Sequence, residues 1–442
     1  MIENTINPTC TRRTFLKGTA ATIAAPLILR SGMLGAESPS NRISVGIIGT
    51  GRQSHVINVP QFLRSNRATV TAVCDVDRWR MEQERDQVNN FYAEANGNGS
   101  YDGCKMYDDF RELLARDDID AVMISSPDHW HVPMGIAALR AGKHASIEKP
   151  LSTCIAHGRM LCDVADETGL VTRTDSEFRS LPNFWKAVEI VRNGRIGQLE
   201  EVRVSTPGDT EPVGNPEPMD IPEGLNYDLW LGPAPEAPYT ELRVHPPNQM
   251  RVRPGWLRIS DYTNGMITNW GSHLNDIVQW ANNSDRSGPV SVSGSGSFSE
   301  GLWDTITAFD LVYSYANGVK LYYTMGGTPT VAFRGSEGWI RVGYPNAIEA
   351  SNPDWLEESP GADELDLSGT MEDKEDFLHA IQTGGKTIKP VEVGHRTVSL
   401  CQIGLIAVKV ARPLRWNPDI EQFEGDDEAN ALLQHPVRGN WM

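Results

Sequence analysis

The 442-residue sequence predicts an α/β protein: a Rossmann-type, doubly wound parallel sheet domain, then an α/β domain with a large, open, mainly antiparallel sheet. Three observations predict this architecture. Strand and helix patterns alternate between residues 42 and 150, as in a doubly wound parallel sheet. Long alternating runs without helices between them follow from about Pro182, as in an antiparallel sheet. The chain is also long for a single hydrophobic core, so two domains are expected.

The first domain is assigned to residues 37–172 and consists of short apolar strands separated by helical patterns. The Asn-Gly-rich stretch Ala95–Gly103 is predicted to be a surface loop. The predicted elements are strands at Val45–Ile48, Val70–Cys74, Ala121–Ser125 and His144–Ile147, a helix end at Phe110–Ala115 and a helix at Val132–Ala141.

The second domain is assigned to residues 173–442. Its proline-rich stretch Pro207–Pro254 is predicted to be an irregular flap over the site. The predicted strands are Leu199–Ser205, Val290–Phe298, Thr305–Tyr315, Val319–Met325 and Trp339–Val342, and the predicted helices are Asn183–Val191, Lys374–Ile381 and Val398–Ala411.

A glycine turn, Gly49-Thr50-Gly51, directly follows the first predicted strand. Glycines are needed where a backbone turns tightly and approaches phosphates closely, so the turn predicts a dinucleotide site. Ser54 stands where the third glycine of a GxGxxG motif is expected. Asp75 ends the second strand and can accept hydrogen bonds from both adenosine-ribose hydroxyls, which favours NAD; Arg78 and Arg80 keep NADP as the less favoured option. A strand–turn–helix without nucleotide is the alternative.

Two further motifs, Ser125–His131 and Glu148-Lys149-Pro150, follow later strands at the edge that faces the ligand crevice. His129 and His131 resemble metal ligands, but no cysteine or carboxylate cluster completes a set, so no metal is predicted and a loop beside the nicotinamide ribose is preferred. Lys149, beside a cationic ring, would have a lowered pKa and could help move a substrate proton. A surface lysine before a proline turn is the alternative. The predicted cofactor-binding residues are Gly49, Gly51, Arg52, Gln53, Asp75, Ser126, Pro127, His129, His131, Glu148 and Lys149.

The stretch Gly265–Asp276 is predicted to begin a helix. Asn269, His273 and Asp276 are spaced four and three residues apart, so they share one helical face. A histidine there can take a hydroxyl proton while hydride leaves the same carbon. A half-buried histidine with a purely structural role is the alternative.

Six ordered stretches recur as a set: Gly49–Gly51, Pro127–His131, Glu148–Pro150, Asn193–Gly197, Tyr227–Pro233 and Trp270–His273. Together they resemble the Gfo/Idh/MocA (glucose–fructose oxidoreductase / inositol dehydrogenase) family over residues 42–442. The resemblance implies a Rossmann domain and an α/β domain whose open sheet often mediates dimers or tetramers. It also implies that Lys149 and His273 act as a catalytic pair.

One position departs from many dehydrogenases of that family, which carry aspartate where Asn269 stands. Asparagine can orient a hydroxyl but cannot act as a base, so His273 is the base on that face and Asn269 assists it. Aromatic side chains stack on sugar faces and arginines bind hydroxyls, which predicts a sugar pocket. Its predicted residues are Arg253, Trp256, Arg258, Tyr262, Trp270 and His273. For the arginines and aromatic residues, plain packing or a surface position is the alternative.

Residues 1–36 are predicted to be a twin-arginine export signal. Thr11–Lys17 matches the twin-arginine pattern, and the apolar run Gly18–Leu29 is too short to span a membrane. A basic tail is the alternative. We therefore expect a periplasmic or exported protein, with no membrane insertion after signal removal. Because such proteins are exported folded, we also expect the nucleotide to be captured in the cytoplasm.

Composition limits the partners. The net charge of −18 argues against nucleic acid and anionic membranes, which need a basic face. The cysteines outside the signal are odd in number and form no CxxC pair, so buried thiols are expected rather than disulfides. They are Cys74, Cys104, Cys154, Cys162 and Cys401.

These observations predict an NAD-dependent oxidoreductase that acts on a sugar, glycoside or cyclitol hydroxyl, with tightly bound cofactor and a homodimeric or homotetrameric assembly. A redox-neutral glycosidase or lyase that works through a keto-sugar is one alternative. A non-catalytic sugar-binding protein and a dehydrogenase with exchangeable cofactor are the others.

Overall fold

The computed structural model describes residues 42–97, 99–209 and 213–441, so the predicted export signal lies outside the described residues. The first domain is built on a six-stranded parallel sheet of order β3-β2-β1-β4-β5-β6. The strands are β1 (Ile43–Ile48), β2 (Ala68–Cys74), β3 (Lys105–Tyr107), β4 (Ala121–Ile124), β5 (His144–Glu148) and β6 (Thr172–Asp175). The helices are α1 (Val59–Arg64), α2 (Arg78–Ala95), α3 (Phe110–Leu114), α4 (Asp128–Arg140) and α5 (Ile155–Thr168), and a π-helical turn at Ser54–Asn58 leads into α1.

The second domain contains a nine-stranded, mainly antiparallel sheet of order β13-β12-β11-β7-β10-β9-β8-β14-β15, in which β7 and β10 pair in parallel. Its strands are β7 (Leu199–Thr206), β8 (Ser291–Phe298), β9 (Ile306–Ser314), β10 (Lys320–Met325), β11 (Thr330–Gly335), β12 (Trp339–Gly343), β13 (Ala347–Ala350), β14 (Leu414–Asn417) and β15 (Gln422–Phe423). The helices are α6 (Pro182–Arg192), α7 (Tyr227–Leu231), α8 (Met266–Asn269), α9 (Gly271–Ala281), α10 (Asp354–Glu357), α11 (Asp373–Thr383), α12 (Val391–Val410) and α13 (Asp427–Ala431), with 3₁₀ turns at Glu177–Ser180 and Gly255–Arg258.

The two sheets bury their side chains differently, as their connections require. Strand β4 is buried on both faces, because helices cover both sides of the parallel sheet. In the second sheet burial alternates: Val202 and Val204 of β7 point into the core, while the intervening Arg203 is exposed. The structure therefore confirms the predicted fold class.

Helix α2 and strand β11 are among the elements that the sequence-based prediction does not contain. Helix α2 is largely polar, and its apolar buried residues, Met81, Val88 and Tyr92, form one sparse stripe. Its start is marked by Asp77, whose side chain accepts a hydrogen bond from the backbone N–H of Arg80. Strand β6 joins the first sheet and extends it beyond residue 172, so the fold continues past the boundary drawn from sequence.

A buried ionic cluster anchors helix α9. The Asp276 carboxylate accepts hydrogen bonds from the Arg179 guanidinium at 2.8 and 3.0 Å, and its Oδ2 lies 3.0 Å from Lys389 Nζ. All three side chains are at most 1% exposed. Burial alone would raise the pKa of Asp276, but the charges of Arg179 and Lys389 outweigh it and lower the pKa. Asp285 completes the cluster from a more exposed position.

The predicted buried thiols are confirmed: all five cysteines of the described residues are buried and unpaired.

Among the described residues, no helix has the length and apolar character needed to cross a membrane.

Candidate active site

A cavity of about 590 Å³ lies at the carboxyl edge of the first sheet. The segment 251–257 and helices α8 and α9 form its other side. Most of the residues predicted from sequence for cofactor or substrate come together here. They are Gly49, Gly51, Arg52, Gln53, Asp75, Ser126, Pro127, His131, Glu148, Lys149, Arg253, Trp256, Asn269, Trp270 and His273.

The glycine turn shows why its residues are glycines. Gly49 has φ +87°, and a Cβ built there would lie 2.6 Å from the backbone carbon of Ser125. An L-residue would therefore be strained and would also clash with β4's exit loop. Gly51 has no other atom within 4 Å of a built Cβ, so its open side faces the cavity.

Ser54, at the third-glycine position, makes a specific buried contact. Its hydroxyl donates to Glu84 Oε1 at 2.9 Å, and His55 Nδ1 lies 2.6 Å from the other carboxylate oxygen. Ser54 and Glu84 are fully buried. The serine thus fastens the turn to helix α2, which a glycine could not do.

Asp75 occupies the end of the cavity expected for the adenosine ribose. Its carboxylate accepts hydrogen bonds from the Thr50 backbone N–H at 2.6 Å, the Thr50 hydroxyl at 3.0 Å and the Asp77 N–H at 2.9 Å. Burial, assisted by the charge of Asp77, raises the pKa of Asp75. A carboxylate has about four acceptor positions, so lone pairs remain for ligand hydroxyls.

Arg78 and Arg80, the two arginines that could bind the 2′-phosphate of NADP, differ in position. Arg78 pairs with Glu82 at 3.3 Å on the surface, with 61% of its side chain exposed. Arg80 lines the cavity but is already engaged, by Asp77 at 3.6 Å and by the Gln249 carbonyl oxygen at 3.1 Å.

We expect Asp75→Ser to weaken NAD binding about ten- to a hundredfold, because hydrogen bonds to a charged group contribute about 1.5–3 kcal/mol. The same change should narrow the preference for NAD over NADP, since it removes charge that repels a 2′-phosphate. Calorimetric titration of nucleotide-stripped protein with each nucleotide measures both effects. Thr50→Val is the matched control, because it removes a hydrogen bond within the turn and keeps the carboxylate. Unchanged NAD affinity in Asp75→Ser would rule out ribose binding by Asp75.

The loop after β4 holds a polar group aimed at the cavity. Ser126 is buried, and within the described part of the chain its hydroxyl oxygen has no hydrogen-bond partner. His131 lies behind it, with Nδ1 2.7 Å from the Pro150 carbonyl oxygen and Nε2 2.9 Å from the Ser126 carbonyl oxygen. His131 therefore ties the Ser126 loop to the segment that carries Lys149.

Lys149 follows β5 and lines the cavity. The preceding Glu148 is buried, and its Oε1 accepts a hydrogen bond from the Asn58 side chain at 2.9 Å. Asn58 donates also to the Ser125 hydroxyl at 2.9 Å. The carboxylate of Glu148 is therefore fixed from the glycine-turn side, and it holds the Lys149 backbone in place through an N–H bond of 3.2 Å.

His273 stands in the first turn of α9, across from Lys149. Its ring stacks on Phe178 with centroids 4.5 Å apart, and Nδ1 lies 3.0 Å from the Ser176 hydroxyl. Burial, followed by the charges of Lys149 and Lys389, lowers the pKa of His273 well below its ordinary value. The ring is therefore neutral at pH 7 and can accept a proton. Among the described residues, none is hydrogen-bonded to its Nε2.

The predicted helical face is only partly realised. The helix breaks at Trp270 between α8 and α9, and Asn269 and His273 both line the cavity. Asp276 does not, because it is buried in the ionic cluster with Arg179 and Lys389.

Three predicted residues lie outside the cavity wall, and this corrects the sequence-based placement. His129 Nε2 is bonded to the Trp230 carbonyl oxygen at 3.2 Å, and its ring packs 5.0 Å from that of Tyr262. Burial lowers the pKa of His129 to about 3. Tyr262 is fully buried in the same aromatic cluster, and Arg258 pairs with Asp209 at 2.9 Å. These side chains support the wall instead of facing a ligand.

Glu177, Phe178 and Tyr344 are among the cavity residues that the sequence does not predict. Phe178 stacks in parallel on Tyr344 with centroids 5.4 Å apart, and Tyr344 packs against Trp270 at 5.8 Å. Glu177 and Phe178 follow β6, at the same carboxyl edge as the other motifs, and that position was the available signal. Tyr344 comes from the β12–β13 connection, and no local pattern marks it.

The described residues contain no group of three or more His, Cys, Asp or Glu side chains that could hold a metal ion.

Comparison with protein-family models covers both domains. Residues 43–176 match the NAD-binding Rossmann fold of the Gfo/Idh/MocA oxidoreductase family, and residues 211–442 match its C-terminal alpha/beta domain. The chain belongs to this family. The predicted family resemblance is thereby confirmed: the chain combines the family's NAD-binding Rossmann fold with its C-terminal alpha/beta domain.

Among curated relatives of this family member is a glycosyl hydrolase family 109 protein of Saccharopolyspora erythraea, 31% identical over 160 residues, which are 36% of this chain and 33% of that protein. The matched region spans about half of the length of one of the first curated relatives, 54%, and about a third of the length of another, 33%.

Two solved structures share the fold. The aldose–aldose oxidoreductase of Caulobacter crescentus, complexed with glycerol, superposes with a TM-score of 0.61 at 15% identity, over 85% of this chain and 99% of that one. The WlbA dehydrogenase of Chromobacterium violaceum, in complex with NADH and UDP-GlcNAcA, gives 0.62 at 16% identity, over 87% and 99%.

The residues of this Gfo/Idh/MocA protein fit a bound NAD. Gly49 permits the tight turn, and Gly51 leaves space beside the backbone. The buried Ser126 hydroxyl has no hydrogen-bond partner among the described residues, so a polar group of the nucleotide could bond to it. Asp75, which lines the cavity, would supply acceptors for ribose hydroxyls. The helical segment that begins at residue 52 directs its first N–H groups toward the same turn, as a phosphate requires.

Proposed function

We propose that this protein is an exported, NAD-dependent oxidoreductase that acts on a CH–OH group of a sugar, glycoside or cyclitol. The observation that carries the proposal is the pairing of Lys149 and a neutral His273 in the cavity where the NAD-binding turn ends. The proposed export is based on the twin-arginine pattern at Arg12-Arg13. We also propose that the protein assembles as a homodimer or homotetramer.

When bound, NAD⁺ supplies the hydride acceptor. Lys149 polarises the substrate oxygen, and His273 takes the hydroxyl proton at Nε2 as the carbonyl forms. For Nε2 to accept, Nδ1 must carry its hydrogen and donate it to the Ser176 hydroxyl, which lies 3.0 Å away. Asn269, on the adjacent helical turn, orients the hydroxyl.

The cavity wall suits a sugar ring. Trp256, Trp270 and Tyr344 line the cavity with aromatic rings, and Arg253 adds hydrogen-bond donors. An aromatic face packs against the C–H groups of a pyranose, while polar groups at the edge bind its hydroxyls.

Because free NAD is scarce outside the cytoplasm, we propose a closed cycle in which a second carbonyl compound reoxidises the cofactor. The aldose–aldose oxidoreductase neighbour is named for a pair of sugar substrates. A redox-neutral glycosidase is the second candidate, and the observation in its favour is the family 109 glycosyl hydrolase among the relatives.

The test is to add aldoses, cyclitols and p-nitrophenyl glycosides to the NAD-loaded full chain. We expect the near-ultraviolet absorbance of reduced nicotinamide to rise with a substrate sugar and to fall when a second carbonyl sugar is added. Release of p-nitrophenol without net cofactor reduction would establish the glycosidase instead. Sugar binding with neither signal would contradict both and identify a binding protein.

A further inference from the structure

The positive charges near His273 oppose its proposed role as the proton acceptor. When the imidazole accepts a proton it becomes a cation facing two others, Lys149 from the end of β5 and Lys389 from the segment before α12. Asp276 forms an ion pair with Lys389, but the same carboxylate also forms an ion pair with Arg179. Asn269, which lines the same cavity, offers no charge.

A carboxylate reaches His273 from the opposite domain. Glu177 opens the 3₁₀ turn that follows β6, and its Oε2 lies 3.8 Å from His273 Nδ1. The neighbouring Ser176 hydroxyl contacts the same nitrogen at 3.0 Å, and Phe178 stacks on the ring. Three consecutive residues of one turn thus surround the imidazole.

Glu177 is in the cavity rather than at the outer surface. Its side chain keeps 37% exposure, which it gains by lining the cavity, while the surrounding protein raises its pKa to about 7. Burial is the main cause, and the charges of Asp373 and Glu148 add to it; Lys149 acts in the opposite direction. Both the neutral and the ionised forms are therefore accessible near neutral pH.

We propose that Glu177 is the anionic partner of His273 and supplies the negative charge that Asn269 lacks. This inference rests on the proposed function for the step that it assists. In that step the substrate O–H bond breaks, the proton bonds to Nε2, and Nδ1 keeps its hydrogen toward Ser176. The Glu177 carboxylate then faces the imidazolium across 3.8 Å and stabilises it. Glu177 acts through His273, as a positioning residue.

The first test needs no substrate. In the full chain labelled with ¹⁵N-histidine, the His273 signal, identified by its loss in His273→Asn, is followed over a pH titration. We expect it to show an inflection near the pKa of about 7 of Glu177. Glu177→Gln should abolish the inflection, and Glu177→Asp should keep it at a shifted pH. Glu167→Gln, on the exposed face of α5, is the matched control and should match the wild type.

The second test uses a turnover substrate. The rate of turnover should rise as the pH rises through the pKa of Glu177, because only the ionised carboxylate of Glu177 stabilises the imidazolium of His273. In Glu177→Gln this limb should vanish, and kcat above it should be at least about tenfold lower with KM little changed, since an opposite charge at this distance shifts a pKa by about one unit or more.

The outcomes are separable. Identical His273 titration curves in wild type, Glu177→Gln and Glu177→Asp would overturn the pairing, whatever the activity. Absence of turnover with every carbohydrate, together with the expected titration curves, would overturn the proposed function and leave the pairing intact. If Glu177→Gln fails to fold, the Glu177→Asp curve decides, because an unshifted inflection there also contradicts the proposal.

Discussion

Replacing Lys149 by methionine should lower kcat by about two to four orders of magnitude, the usual contribution of a positioned proton-transfer group. Methionine keeps the length and apolar stem of the side chain and removes the ammonium group that faces the substrate oxygen. The backbone at this position is held through Glu148 and Asn58, which the substitution leaves in place. NAD binding should therefore be retained, and the loss should fall on turnover.

The measurement compares cofactor reduction and nucleotide content in the wild type and the variant. Lys105→Met is the matched control, because Lys105 is on β3 with 56% of its side chain exposed and should tolerate the change. The pKa of His273 should also rise in Lys149→Met, since one of the charges that lower it is removed. Activity within a few-fold of wild type would remove Lys149 from the chemistry.

Asp276→Asn should reduce the free energy of unfolding by about 3–5 kcal/mol, the typical effect of removing one partner of a buried ion pair. The substitution leaves Arg179 and Lys389 as buried cations without their shared carboxylate. Both residues are at most 1% exposed, so water cannot replace the lost charge. Denaturant unfolding of both proteins measures the difference.

Asp285→Asn is the control, because Asp285 contacts the same guanidinium from a position that is 31% exposed. This variant should lose well under half as much free energy of unfolding as Asp276→Asn.

The stabilisation by Asp276 should depend on pH in one direction. The folded pKa of Asp276 lies below its ordinary value, so its contribution is present above the ordinary carboxyl range and is lost as pH falls below it. The variant and wild type should converge in strong acid. A difference below about 1 kcal/mol at neutral pH would show that the cluster is not a stability element.

Much of the architecture is visible in the sequence because its signals are local. Strand β1 and the glycine turn are adjacent in the chain, and Glu148-Lys149 follows a strand whose hydrophobic run is unmistakable. The hydrophobic pattern does not reveal helix α2, because few of its residues are buried in the core. Its N-terminal capping residue, Asp77, is a better indication that a helix begins there.

Two histidines show where local pattern fails. The sequence predicts a single loop that contains His129 and His131. In the structure α4 begins at Asp128, so these residues, two positions apart, point to different sides of a helix. His131 reaches the cavity wall, and His129 turns toward Trp230.

The remaining site residues depend on long-range packing. Glu177 meets His273 only because β6 and α9, nearly a hundred residues apart, come together. Tyr344 enters from the β12–β13 connection and stacks on Phe178 from the first domain's edge. Neither pairing has a periodicity or spacing that a sequence could display.

The most direct measurement is the nucleotide content of the protein folded in the cytoplasm and purified without added nucleotide. Mass spectrometry of the denatured protein identifies the released dinucleotide and its redox state. We predict NAD(H) stoichiometric with the chain, held by the Gly49–Gly51 turn and Asp75. An empty cavity that also fails to bind added NAD would contradict an NAD-dependent oxidoreductase, and weak, exchangeable binding would contradict the closed cycle.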